Sequence, residues 1–322
     1  MFRLLLALSL VALGSATLVP QAQAFAVGPA ILELTGSRGE TVSSQIRIAN
    51  TNDAEHTYYL HTRAFEPKEE SGTPAFVPSD AGRAGLPEWI AFPAGSVTIP
   101  AGQSADVSFV IAIPSDVPAG SHYGAIVVSD APYDVVATNG ASVQANTAIL
   151  IFLTVAGETV EQAALLDFTG PKEGQWLSTA AGTFSYRIQN QGNVHVVPTG
   201  TVTFRDAFGR VLGTFDANPG KGRVLPRTTR TFETPFGETN KNGFWQTTGN
   251  QMRSLTVGPV TAALDVTYGS TPKTIHSEIV FWVVPWQLFM VGVGFLLLFT
   301  LLYKGYGRAL KARTRIHEPM PS

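Results

Sequence analysis

Only a few groups in the 322-residue chain combine residue types and spacing that covalent or metal chemistry needs. Ser270-Thr271-Pro272-Lys273 matches S-x-x-K, the nucleophile signature of penicillin-recognising serine enzymes. That signature opens a helix, which returns the lysine to the side of the serine. Here Pro272 stands inside it and the segment reads as a turn between strands, so no nucleophile is expected. His56 and His61, with Glu55, are the nearest thing to a metal-ligand group. Their odd spacing places the histidines on opposite faces of a strand. Asp130 and Asp134 flank a Pro-Tyr turn that lacks the Asp/Asn/Gly density of a calcium loop. The chain has no G-x-S-x-G elbow, P-loop or H-E-x-x-H motif, and no cysteine for thiol chemistry. The expectation is a non-enzyme that uses no metal or cofactor.

Binding chemistry is more plausible than catalysis. Lys221, Arg223, Arg227 and Arg230 gather in PGKGRVLPRTTR, the one basic cluster ahead of the C-terminal tail. It reads either as a contact for an acidic partner or as a solvated loop and edge strand guarded by charge. Trp245, beside Phe244 and between polar turns, is open to two readings, a core anchor or a partner contact. Trp89, in PEWIAF, reads as a core anchor. Residues 25–157 carry 13 acidic and 5 basic side chains, whereas residues 158–282 carry 10 and 11. The acidic first half argues against nucleic acid as a partner and leaves uncharged glycans and proteins.

Two apolar segments frame these residues. Between Glu278 and Lys304 no side chain is charged, which exceeds the ~20 residues a membrane-spanning helix needs. TIHSEIVFW (274–282) alternates as a last strand, so the span is expected over 284–304, with Pro285 in its first turn. Lys304 closes the span, and Arg308, Lys311, Arg313 and Arg315 follow in the tail, 305–322, which should therefore be cytoplasmic. Trp282 and Trp286 would anchor the outer interface, and Tyr303, Lys304 and Arg308 the inner one, with membrane lipid as a partner. At the other end, Arg3, LLLALSLVALGSA and Ala22-Gln23-Ala24 read as a signal peptide over 1–24. The chain is thus expected in the plasma membrane, with its N-terminal part extracellular or periplasmic. The absence of cysteine and of Asn-x-Ser/Thr sequons leans toward a bacterial surface protein.

Between these segments the pattern is that of strands. Val42, Ile46 and Ile48 share one face of residues 41–49, and Ala105 to Ile113 alternate until Pro114 stops them. AILIFLTV (148–155) is apolar on both faces and reads as central, while residues 66–86 read as a functional or mobile polar loop. Strands restart at Gln162, with Phe184, Tyr186 and Ile188 in phase, and a hairpin at 206–209. The fold class expected is all-β: two tandem immunoglobulin-like antiparallel sandwiches, 25–157 and 162–282, followed by one transmembrane helix. No convincing helix of ten residues is expected in the first domain, and no strict sequence repeat joins the two.

The order PEWIAF (87–92), then VTIPAGQSADVSFVIAIPSDVPAGSHYGAIVV (97–128), resembles the first domain of bacterial WxL-interacting surface proteins. The resemblance covers 27–156, and its most specific part is P-x-D-x-P-A-G-x-x-Y-G-x-I at 114–126. It implies a signal peptide, two immunoglobulin-like domains and a C-terminal membrane helix, with peptidoglycan bound by the first domain and other surface proteins by the second. Chaperone-like sandwich domains share the outline. The main expectation is a membrane-anchored scaffold that engages cell-wall peptidoglycan or another cell-surface protein. The alternative is a chaperone-like or structural subunit of a membrane-bound surface assembly, holding a partner strand on a sheet edge.

Overall fold

The computed structural model describes residues 25–77, 85–132, 145–171, 176–237 and 243–315. The signal segment 1–24, Asp134 and the tail beyond Arg315 lie outside them. The chain is mostly β-sheet and divides into two compact units. The first comprises residues up to 65, 76–118 and 122–157; the second comprises 66–75, 119–121 and the chain from 158.

The first unit is a sandwich of two sheets. One has the order β1 (Phe25–Gly28), β3 (Thr41–Asn50), β9 (Ser104–Ala112), β7 (Ile90–Ala91). The other has the order β2 (Ile31–Gly36), β11 (Asn146–Val155), β10 (Gly120–Ser129), β4 (His56–Arg63), β8 (Ser96–Ile99). Alternation puts Ile46, Ile48, Phe109 and Ile111 of the first sheet against Tyr58, Leu60, Ile126, Val128, Ile149 and Ile151 of the second, all buried. Each such side chain contributes about 1.5–3 kcal/mol on burial, which lets the unit stand without disulfides. A one-turn helix α1 (Leu86–Trp89) tucks Leu86 into this core, and Trp89 packs against it, its ring 4.8 Å from that of His122.

Two expectations change here. The sheets are not wholly antiparallel, because β2 runs parallel to β11. Parallel neighbours need a long connection, and here the rest of the unit supplies it. The polar segment 66–86 is not all loop: β5 (Phe65–Lys68) and β6 (Thr73–Phe76) pair as a hairpin. Its strands are too short, and too rich in proline and glycine nearby, to show a period. The turn of that hairpin belongs to the second unit. There Arg187 Nε donates to Glu70 Oε2 at 2.7 Å and Thr231 N–H donates to the Glu70 carbonyl at 2.8 Å.

The second unit sets β12 (Ala163–Thr169), β14 (Gly182–Asn190) and β17 (Thr229–Phe236) against a five-stranded sheet. That sheet has the order β13 (Trp176–Leu177), β19 (Lys273–Val283), β18 (Gly258–Tyr268), β15 (Thr199–Asp206), β16 (Val211–Asp216), with β13 parallel to β19. The core is aromatic. Phe204 stacks on Phe236 with centroids 3.9 Å apart, Phe184 meets Phe204 edge-on, and Tyr186 stacks on Phe232. Two further helices follow: α2 (Phe244–Ser254), unforeseen in the sequence, and α3 (Trp286–Arg315). Residues 286–308 of α3 are long and apolar enough to cross a membrane, and the apolar window within that stretch is not buried.

Candidate functional site: an open strand segment

β11 is the most apolar strand of the first unit. Ile149, Ile151, Leu153 and Val155 fill the core, while Phe152 on the other face is also buried. Its neighbours cover it unequally. β2 registers only on Leu150–Val155, with Ile31 opposite Leu150 and Gly36 opposite Val155. Leu150 N–H donates to the Ala30 carbonyl at 3.0 Å, so Leu150 faces β2. By the two-residue alternation of a strand, Asn146 and Ala148 turn their N–H and C=O groups to the same side. No strand lies beside them there among the described residues. The leading segment Asn146–Ile149 is thus an open edge on an otherwise interior strand.

The sheet's true edges differ. β2, with six residues, and β8, with four, are the short outer strands that blunt unwanted pairing. The free side of β17, in the second unit, is occupied by Glu70. The Arg187 hydrogen bonds hold the Glu70 carboxylate below its usual range, and Asp167 shares the same guanidinium.

A cavity of about 370 Å³ adjoins the open segment, lined by Arg63 of β4, Val127 and Ser129 of β10, Asn146 and Ala148 of β11, and Phe76 of β6. Arg63 Nη2 donates to the Val77 carbonyl at 2.7 Å, and its guanidinium lies 5.7 Å from the centre of the Phe76 ring. Arg63 Nε has no hydrogen-bond partner among the described residues. The site therefore offers backbone groups for an extended peptide, an apolar floor from Val127 and Ala148, and a cationic donor.

No family model and no curated protein matches the chain. Three of the similar solved structures are fimbrial proteins. The class 5 fimbriae chaperone CfaA is 14% identical, with a TM-score of 0.39 and coverage of 81% of this chain and 100% of that one. The CsuC–CsuE chaperone–tip adhesion subunit complex of Acinetobacter baumannii Csu pili gives 10%, 0.38, 79% and 97%. The Salmonella enterica SafA pilin in complex with the SafB chaperone gives 10%, 0.38, 80% and 98%. The expectation of a peptidoglycan-binding scaffold is corrected on this finding, since these neighbours are chaperones and correspond to the stated alternative. The physical reason is that strand order and turn signatures at 87–128 fit several sandwich classes alike. They carry no information about the ligand.

The other residues singled out in the sequence are dispersed. Lys221 and Arg227 are exposed, both at positive φ. Arg230 is half-buried in β17, donates Nη1 to the Arg223 carbonyl at 3.0 Å and lies 5.3 Å from the Phe232 ring centre. Burial, then the charge of Arg223, pulls its pKa below the ordinary arginine value. Half-buried against the Arg223 carbonyl and the Phe232 ring, it adds little to an exposed cationic patch. Ser270 Oγ and Lys273 Nζ both bind Glu161, the first to its carboxylate and the second to its carbonyl. His56 Nε2 lies 3.0 Å from the Asp130 carbonyl. Among the described residues no cluster of three or more His, Asp or Glu is placed to hold a metal. Trp282 is the penultimate residue of β19, Trp286 opens α3, Tyr303, Lys304 and Arg308 lie further along it, and Trp245 is exposed on α2. Sequence reasoning missed the open segment of β11, because its register against β2 is a long-range pairing.

Proposed function

We propose that the chain is a membrane-anchored, chaperone-like subunit of a bacterial surface assembly, whose first domain holds an extended strand of a partner protein. In this reading both units are immunoglobulin-like sandwiches outside the membrane. α3 is the single span, and the basic residues after it keep the C-terminus cytoplasmic. The observation that carries the reading is the open segment Asn146–Ile149 of β11 beside the cavity. A partner strand added there pairs through Asn146 and Ala148, and its alternate side chains fall against Val127 and Ala148. Arg63 offers a donor to a polar group of the same strand.

The test exploits the direction of the Ala148 N–H. Proline at an edge position removes one outward donor and leaves pairing with the inner neighbour intact. The full chain, purified from its native envelope after wall digestion, should retain a stoichiometric partner protein. Ala148→Pro should lose it while melting like the parent, and Ala148→Ser should keep it. Retention by Ala148→Pro, or no partner on the parent chain, would overturn the reading.

A further inference from the structure

α2 is amphipathic in the opposite sense to a helix on a soluble domain. Its inward side chains are polar, with Thr248 and Gln251 buried. Gln251 Nε2 donates to the Ser178 carbonyl at 2.9 Å and to the Gln287 side chain, and Gln251 Oε1 accepts from Leu288 N–H at 2.9 Å. Its apolar side chains point outward. Trp245 is 75% exposed and Met252 59%, and their i, i+7 spacing puts them on one face. Leu255, 64% exposed, caps the helix at φ 39°, a left-handed conformation that glycine takes without strain.

The same end of the unit gathers further apolar groups. Gly258 pairs with Val283, so α2 leads into β18 where β19 is about to enter α3. Trp176 of β13 stacks on Trp282, with centroids 5.5 Å apart. Asp206 pairs with Val260, which brings the β15–β16 hairpin tip to this end, and its Phe208 is 94% exposed. Trp176, Trp245, Trp282 and Trp286 are all but one of the five tryptophans in the chain. A surface meant for water does not collect side chains of this kind.

We infer that α2, with the hairpin tip at Phe208, forms an interfacial lipid-binding surface that seats the second unit on the bilayer around the span. The ligand is the headgroup and upper acyl region of phospholipid. This rests on the reading of α3 as a membrane span. Lipid is the occupant because the surface is continuous with the first turn of that span through Gln251, and because tryptophan favours the membrane–water boundary. A protein partner would need no such continuity.

The chain has no cysteine, so single labels can be placed cleanly. Met252→Cys, Leu297→Cys in α3 and Thr271→Cys, in the exposed turn at the far end of β18, each receive an environment-sensitive fluorophore. The full chain is reconstituted in phosphatidylethanolamine–phosphatidylglycerol vesicles carrying nitroxide lipids, either near the headgroup or deep in the acyl chain. The label at 252 should be quenched several-fold more than that at 271 by the shallow nitroxide, and the label at 297 by the deep one. Quenching at 297 with none at 252 beyond the level of 271 refutes the interfacial surface and leaves the span standing. An unquenched label at 297 removes the span and this inference with it. A label at 252 hidden from aqueous iodide yet untouched by lipid quenchers means that protein covers the face, which also overturns the inference.

Discussion

Asn50 and Asn190 share a set of hydrogen bonds at equivalent places in the two units. Each ends a core strand and is buried. Asn50 Nδ2 donates to the Ala54 and Ile99 carbonyls at 2.8 and 2.9 Å, and Asn190 Nδ2 to those of Val194 and Val224 at 2.7 and 2.9 Å. Oδ1 accepts from Asn52 N–H in one and Gly192 N–H in the other. Each backbone N–H donates across the turn, to Gln103 or Thr228. One buried amide thus closes the strand-end turn and ties it to a second chain segment, twice.

Asn190→Ala should lower stability markedly, because the Val194 carbonyl and the Gly192 N–H lose their partner at about 1–3 kcal/mol for each group left unmet, while the Val224 carbonyl keeps the Val196 N–H. Asn190→Asp should be worse at neutral pH. It keeps the acceptor but sets a carboxylate against the Val194 and Val224 carbonyls. Thermal unfolding of the detergent-solubilised chain checks both, and the gap between the variants should narrow as the pH falls below the carboxylate range. Equal loss at every pH would show that the donor contacts do not matter.

Much of the strand layout was legible because burial alternates with the pleat. The run Ala105–Ile113 placed Phe109, Ile111 and Ile113 in the core, and Pro285 marked where β19 gives way to α3. α2 was not legible, since a helix that buries Thr248 and Gln251 and exposes Trp245 and Met252 carries no apolar stripe toward a core. The repeat was hidden for another reason. Arg47-Ile48-Ala49-Asn50 and Arg187-Ile188-Gln189-Asn190 share too few letters to stand out. Their equivalence lies in which carbonyls each asparagine reaches. The open segment of β11 depends on where β2 begins, which no local pattern encodes.

Tyr186 should be silent in an alkaline titration until the protein unfolds. Its hydroxyl donates to the Ala217 carbonyl at 2.8 Å, and burial pushes its pKa well above the ordinary tyrosine value. Burial likewise raises that of Tyr58. A raised folded-state pKa contributes stability that is full below the unfolded value, about 10, and is lost as the pH climbs from there toward the folded one. Tyr186→Phe should cost about 1–3 kcal/mol at neutral pH by stranding the Ala217 carbonyl, and should soften the alkaline loss. Phenolate absorbance against pH, with unfolding followed in parallel, reads both effects.

His276 should titrate above an ordinary histidine. Its Nδ1 lies 2.7 Å from Asp265 and its Nε2 3.5 Å from Glu278, and the Asp265 hydrogen bond is the main cause of the rise. The stabilisation is present below the unfolded value, about 6.5, and disappears as the pH rises through the folded one. Exposure of all three side chains keeps it small. Asp265→Asn should bring the imidazole titration, followed by NMR, back toward the ordinary value. An unchanged midpoint would mean that Asp265 does not hold the charged ring.

Gln251 should control the first turn of α3 from outside that helix. The opening N–H groups of a helix have no partner within it, and Gln251 Oε1 takes one of them, from Leu288. Gln251→Leu keeps comparable bulk but leaves that N–H and the Ser178 carbonyl unmet, at about 1–3 kcal/mol for each group still shielded from water. Gln251→Glu restores the acceptor and places a negative charge at the positive end of the helix dipole, which is favourable, while still failing to donate to Ser178. Amide exchange at Leu288 separates the roles: it should quicken in Gln251→Leu and stay near the parent rate in Gln251→Glu. If both variants exchange alike, α2 rests on α3 without capping it, and the polar face of α2 serves only to hold the helix against Ser178.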